Sequence, residues 1–161
     1  MGAEEQNPTP SLTSANAAPD RRDYTQDLLD AARYNDFEDM MSFVEGGVSL
    51  DCKDREGRTA LHMAAANGHH AMVDYILDKG ADINVCNSEN NTPLHWACLN
   101  GHVEVIKSMI TRGADVSKLN RHDRTPIDEA VMNGKLEVID AFNTAVAQAE
   151  LDGVAISKSI D

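Results

Sequence analysis

A threonine recurs every 33 residues, at Thr59, Thr92 and Thr125, and each opens a version of one phrase: TALHMAAANG (59–68), TPLHWACLNG (92–101) and TPIDEAVMNG (125–134). A chain with such a period is built from one unit used several times, because each position of the unit meets the same physical demand in every copy. Moving the frame back by another 33 residues places Ala31 and Ala32 under Ala64 and Ala65, Asn35 under Gly68, Phe43 under Ile76 and Gly47 under Gly80. A divergent first copy therefore begins near Arg21, and four units result, about 21–53, 54–86, 87–119 and 120–152.

The period, together with the phrase Thr-Pro-Leu-His-x-Ala, resembles the ankyrin-repeat family over roughly residues 21–152. The resemblance implies an all-α solenoid of four helix-turn-helix units with short hairpin turns. Each recurring residue has a task in such a unit. Thr59 and Thr92 stand where a helix N-cap is needed, and Pro93 and Pro126 follow at a first-turn position where a missing N–H costs nothing. Ala64, Ala97 and Ala130 are small enough to let helices approach closely. Gly68, Gly101 and Gly134 end the first helix in a left-handed conformation, for which Asn35 is the best non-glycine substitute. The second helices bury Val73, Ile76 and Leu77, then Ile106, Met109 and Ile110, at helical spacing. Units that close a stack are atypical. Accordingly the first copy lacks the Thr-Pro-Leu-His phrase, and the fourth has Asp128 in place of His and Val146 in place of Gly80 and Gly113. Without that glycine the last helix is expected to continue through Ala145, Val146, Ala149 and Leu151.

Residues 1–20 carry Pro8, Pro10 and Pro19 among Asn, Thr, Ser and Ala, and read as a disordered tail; residues 153–161 read as a flexible end. The 161 residues include 14 Lys+Arg against 27 Asp+Glu, a formal net charge of −13. That balance argues against direct binding to nucleic acid or to an anionic membrane, since both need clustered cations. A basic protein is the electrostatic complement. Cys52, Cys86 and Cys98 form no Cys-x-x-Cys spacing, which fits a reducing compartment better than a disulfide framework or a zinc knuckle. With no apolar run of membrane-spanning length and no leader of charged-then-apolar design, a cytoplasmic location, with or without the nucleus, is expected.

Six histidines invite a catalytic or metal-binding reading. His62 and His95 share one repeat position and, as in the family, are expected to tie neighbouring turns together; His69 and His102 share another and are expected to link helices. His70 stands where other copies have Phe37, Val103 and Leu136, so a partly buried packing role is expected. A zinc site made from His62, His69 and His70 would lack a fourth ligand. Cys98, at a small-residue position on a first helix, reads as a core thiol. No Ser-His-Asp phrase, glycine-rich phosphate loop or paired-carboxylate motif occurs, the glycines being absorbed by the repeat. The chain reads as non-catalytic, with no cofactor and no metal.

Partners of the family usually bind the side made by the hairpin tips and the first helices, which implies three sets of contact residues here. The column after Thr-Pro-Leu-His holds Asp30, Met63, Trp96 and Glu129, and Trp96 is the single tryptophan. A partly exposed Trp beside Met is the type of anchor that dominates interfaces. Just beyond lie Asn67, Leu99 and Met132, and the tips add Glu56 and Glu89. Asp30, Glu56, Glu89 and Glu129 are expected to complement positive charge on a partner protein while Met63, Trp96 and Leu99 exclude water. The runs TALHMAAANGH (59–69) and LHWACLNGH (94–102) are also similar to those of a yeast ankyrin-repeat chaperone of a basic small-subunit ribosomal protein. This similarity implies a dedicated escort of a basic ribosomal client, with the chain expected to act as a monomer; the alternative is a signalling or regulatory adaptor for an unrelated protein.

Overall fold

The computed structural model describes residues 23–154. The tail expected over residues 1–20 lies outside the described residues, as do residues 155–161. Eight helices form four consecutive hairpins: α1 (Thr25–Arg33) with α2 (Phe37–Glu45), α3 (Ala60–Ala66) with α4 (His70–Asp78), α5 (Pro93–Asn100) with α6 (Val103–Thr111), and α7 (Pro126–Met132) with α8 (Leu136–Leu151). Among the described residues there is no strand. The first helices α1, α3, α5 and α7 pack in series as one layer, and α4, α6 and α8 as a second. Phe37 joins α2 to that second layer through an edge-on contact with Tyr75 at 5.9 Å. The first helices have seven to nine residues. Helices so short do not persist alone in water, so each exists because its neighbours cover it.

The sequence explains the layers column by column. Ala64, Ala97 and Ala130 are fully buried where successive first helices meet. Leu28, Leu61 and Leu94 form one buried column, Met40, Val73 and Ile106 another, and Ile76, Met109 and Phe142 a third. Burying each of these large side chains contributes about 2 kcal/mol, so the stability lies mostly between units and little of it within one.

Both ends of the first helices are closed in a repeating way. The hydroxyls of Thr59, Thr92 and Thr125 accept the N–H three residues on, and the side chain there accepts the threonine N–H in return. At the other end a left-handed residue turns the chain: Asn35 (φ 61°), Gly68 (73°), Gly101 (77°) and Gly134 (71°). The next N–H, of Asp36, His69, His102 and Lys135, reaches back to the carbonyl of Ala31, Ala64, Ala97 and Ala130 at 2.8–3.0 Å. In the last unit Val146 removes the stop after the second helix, and α8 runs for 16 residues to Leu151. Only then does Gly153 (φ 81°) reverse the chain, with the Val154 N–H on the Ala149 carbonyl at 2.9 Å and its side chain against the core. The start of the segment expected to be flexible from residue 153 is thus a helix cap.

Successive units are coupled through buried imidazoles. His62 Nδ1 accepts the Thr59 N–H at 3.2 Å, which assigns the proton to Nε2, and Nε2–H donates to the Asn91 carbonyl of the next hairpin tip at 2.8 Å. His95 repeats the arrangement between Thr92 (3.0 Å) and the Arg124 carbonyl (2.9 Å). The tips also bond to one another, Ser88 N–H to the Glu56 carbonyl and Arg121 N–H to the Glu89 carbonyl, both at 2.9 Å. Asp128 retains the helix-capping half of the task, accepting the Thr125 N–H at 2.9 Å. Its carboxylate has no hydrogen to donate, and no further tip lies beyond it among the described residues.

Two outcomes test this account. Burial holds the His62 pKa down at about 4, below its ordinary 6.5, and lowers that of His95 as well. The unfolded chain therefore binds protons where the folded chain does not, so the contribution of the rings is complete above about pH 6.5 and is lost as pH falls towards 4. Urea unfolding should show a decline of about 3 kcal/mol over that window from His62 alone; an undiminished slope in His62→Gln would refute the assignment. The second test compares two glycines of similar φ. A Cβ on Gly68 would lie 2.6 Å from His102 Nδ1, whereas one on Gly134 meets nothing within 4 Å. Gly134→Ala should cost about 1 kcal/mol of left-handed strain and Gly68→Ala about twice that, because His102 must move. Equal losses would show that the contact is unimportant.

Candidate functional site

The face made by the hairpin tips and the first helices rests on a side chain the repeat analysis passed over. Asp54, Asn87 and Asn120 stand 33 residues apart, and in each a single Oδ1 accepts two backbone N–H groups of its own tip. The donors are Glu56 and Arg58, Glu89 and Asn91, then His122 and Arg124, at 2.9–3.1 Å. A left-handed residue completes each turn: Gly57, Asn90 and Asp123 at φ 78°, 62° and 59°. The signal was present in the sequence as a third 33-residue column of Asp or Asn. These tips hold Glu56, Glu89 and their neighbours at fixed positions in solvent.

The column Asp30, Met63, Trp96 and Glu129 does not present itself as an open row. Asp30 is half-exposed and holds Arg33 Nη1 at 3.2 Å and Gln26 Nε2 at 2.9 Å. Met63 is buried, its sulfur accepting Arg33 Nη2 at 3.2 Å, so the preceding unit covers it. Glu129 is buried too, with Asn120 Nδ2 on one carboxylate oxygen at 2.6 Å and Arg124 Nη1 3.7 Å from the other. The expectation of exposure is corrected at these two residues, because neighbouring polar side chains draw them into the floor of the face. Trp96 lies between, half-buried, edge-on to the His62 ring at 5.1 Å and packed on the core. Of the remaining expected residues, Leu99 is half-buried and Met132 is 61% exposed. Asn67 is exposed and donates to the Met63 carbonyl at 2.8 Å. Glu56 is exposed with Arg58 at 3.4 Å, and Glu89 is exposed.

Tyr34 was not anticipated. It is 71% exposed at the end of α1, one unit ahead of Asn67, with the Arg33 guanidinium 6.0 Å from its ring. Its place in the repeat frame follows from the Ala31-Ala32 alignment, but the first copy lacks the phrase that draws the eye to that position. Tyr34, Leu99 and Met132 together line the far ends of three first helices with accessible apolar surface.

The histidines are occupied with architecture. His69 Nε2–H donates to the Arg33 carbonyl at 2.7 Å and His102 Nε2–H to the Ala66 carbonyl at 2.9 Å, each linking its unit to the one before. His70 departs from the expected packing role: the solvent side of α4 is open there, and the ring is exposed with Nε2 3.2 Å from Asp74. Cys98 is fully buried, and burial pushes its thiol far above the ordinary range, which keeps it protonated and unreactive. Among the described residues no three His, Cys, Asp or Glu side chains are grouped to hold a metal ion, and no helix is long and apolar enough to cross a membrane. What the face offers is a rigid backbone with exposed apolar side chains and ordered polar turns, the chemistry of contact with another protein.

A family model described as ankyrin repeats, in three copies, matches residues 28–120 and 86–143. Within curated proteins, a segment of the E3 ubiquitin-protein ligase Ufd4 of Drosophila melanogaster is 41% identical over 58 residues, 35% of this chain and 2% of that protein. The palmitoyltransferase akr1 of Aspergillus oryzae is 42% identical over 60 residues, 37% of this chain and 8% of its own. Diacylglycerol kinase zeta of Homo sapiens is 35% identical over 71 residues, 44% and 7% of the respective chains. The likeness therefore spans less than a tenth of each of these proteins and says nothing of their catalytic parts. Period, helix caps, coupled tips and the matched model agree: the chain belongs to the ankyrin-repeat family, whose units form protein–protein interaction modules.

Proposed function

We propose that this chain is a non-catalytic binder of another protein, which it holds on the face of hairpin tips and first helices. The observation that carries the reading is the exposure of Tyr34 and Met132, at 71% and 61%, at the ends of the first and last of those helices. The stack has no use for either side chain, and large exposed apolar residues on a rigid scaffold mark contact surfaces. Trp96, half-buried between them, gives the face a fixed aromatic anchor. Because the scaffold is already ordered, little conformational freedom is lost on binding.

The partner is basic. A net charge of −13 surrounds the chain with a negative field, to which Glu89 on the tips and Asp30 on α1 add locally. Such attraction speeds encounter and fades as salt rises. Its specific form is a chaperone or escort that keeps a basic client, such as a ribosomal protein, soluble in the cytoplasm and on the way to the nucleus, acting as a monomer without contacting nucleic acid or membrane. Support for that form is the similarity of runs 59–69 and 94–102 to the yeast chaperone and the acidic surface of the chain. A second reading, a signalling or regulatory adaptor for an unrelated protein, is favoured by the relatives. In a ubiquitin ligase, a palmitoyltransferase and a diacylglycerol kinase, the matching repeats form a small part of a larger protein.

The test is capture from cell extract by the immobilised full chain, washed at low and at high salt, beside Tyr34→Ala, Met132→Ala and Trp96→Ala. The first two substitutions lie in solvent and should change stability by less than about 0.5 kcal/mol, so lost capture reports on binding. A basic protein released by salt, with recovery reduced about tenfold in at least two variants, is the expected result. A neutral partner indifferent to salt would remove the basic-client reading and leave the adaptor. A partner retained by all three variants would remove the face.

A further inference from the structure

The two ends of the stack are finished differently. At the N-terminal end Asp39 is exposed at the position where Met72 and Val105 are buried, so the outward side of the first unit is polar. At the C-terminal end the columns that earlier units bury beneath the next unit stay apolar. Ile127 continues Leu61 and Leu94, Val131 continues Ala65 and Cys98, and Ile139 continues Val73 and Ile106. Every earlier member of these columns is 0–1% exposed, whereas Val131 is 50% exposed and Ile127 and Ile139 are only half-buried.

Charge repeats the pattern. Asp74 on α4, beside His70 of its own helix, takes two donors on its other oxygen from the following unit, Ser108 Oγ at 2.5 Å and Arg112 Nε at 3.4 Å. Lys107 holds this position on α6, and on α8 it is again an acid, Asp140, exposed and with no following unit among the described residues to supply a donor. Neither α7 nor α8 contains a Lys or Arg, and their charged side chains are Asp128, Glu129, Glu137, Asp140 and Glu150. An apolar strip is what each inner unit offers its successor, and the second unit adds a carboxylate to it.

We propose that the C-terminal end of the stack is a second docking surface and that its occupant is a basic amphipathic helix of another protein, seated across α7 and α8 as a fifth unit would be. The apolar side of that helix covers Ile127, Val131 and Ile139, and an Arg or Lys takes the place of Arg112 on Asp140. Charge selects this occupant over a second copy of the chain. Head-to-tail stacking would bring Asp140 towards Asp36, Glu38 and Asp39 of the first unit, and end-to-end pairing would bring it towards its own copy. The surface lies on the outward side of the last unit, away from Tyr34 and Trp96, so either can fail without the other.

The probe is a fluorescein-labelled synthetic helix with Leu along one side and Arg along its flanks, beside a twin carrying Glu for Arg, each titrated into the full chain. The Arg probe should bind the wild-type chain at least about tenfold more tightly than its twin. Val131→Asn, a change in solvent that leaves the fold intact, should weaken the Arg probe several-fold. Asp140→Arg should weaken the Arg probe and strengthen the twin, a reversal that general stickiness does not produce. In 15N-labelled protein the amide shifts should centre on residues 127–131 and 139–140. The proposal is overturned by no binding of the Arg probe, by equal affinity in wild type and both variants, or by shifts centred on Tyr34 and Trp96. It is overturned equally if sedimentation shows a dimer that Val131→Asn dissolves, since the occupant would then be a second copy.

Discussion

The stack depends on an imidazole that is buried with both ring nitrogens engaged. In His62 one nitrogen closes the start of α3 by accepting the Thr59 N–H, and the other donates to the Asn91 carbonyl in the next unit. One side chain therefore sets where a helix begins and how far away the next hairpin tip lies. Removing it leaves the buried Thr59 N–H without this partner, at about 1–3 kcal/mol, and leaves the Asn91 carbonyl only the Asn87 N–H of its own tip. The tip-to-tip bonds, the alanine contacts between first helices and the columns of Leu, Ile and Met all presuppose the spacing that this bond imposes. Where no next unit follows, Asp128 supplies the cap alone, which is why the fourth copy can do without the ring.

That constraint also decides what is left for function. His62, His69, His95 and His102 are consumed in joining units, the turn glycines in ending helices, and Cys98 in filling the space between first helices. These groups are thus engaged inside the scaffold. Freedom remains at positions the repeat does not use, at the tips and at the far ends of the first helices. There one column reads Tyr34, Asn67, Asn100 and Asn133, and its neighbour Arg33, Ala66, Leu99 and Met132. A scaffold that repeats its interior while varying its rim separates stability from recognition, and recognition belongs to the rim.

The ends of the chain of units follow the same physics with opposite outcomes. Every interior unit presents apolar residues to its successor, and the second adds Asp74, which receives Ser108 and Arg112 from the third. The first described unit carries Asp39 at a position that is otherwise core. The last described unit is polar on its outward side only in part, with Asp128 for His and Asn143 in the column of Leu77 and Ile110, while Val131 remains in solvent.

Fold and unit boundaries were legible because the determinants are local and periodic: a hydroxyl for a helix start, a left-handed residue for its end, and small or branched side chains at helical spacing. The sequence by itself determined the family, the number of units, the joining role of His62 and His95 and the buried state of Cys98. Tertiary structure alone decided which members of a column meet solvent. Met63 is covered because Arg33 reaches across from the preceding unit, and Glu129 is drawn in because Asn120 and Arg124 lie beside it. His70 is exposed because that side of α4 is open, and Tyr34 because α1 ends there with only the Arg33 guanidinium near its ring. Exposure at a repeat position depends on the side chains that adjacent units send towards it, and those lie outside the 33-residue code, so they become visible only once the units are stacked.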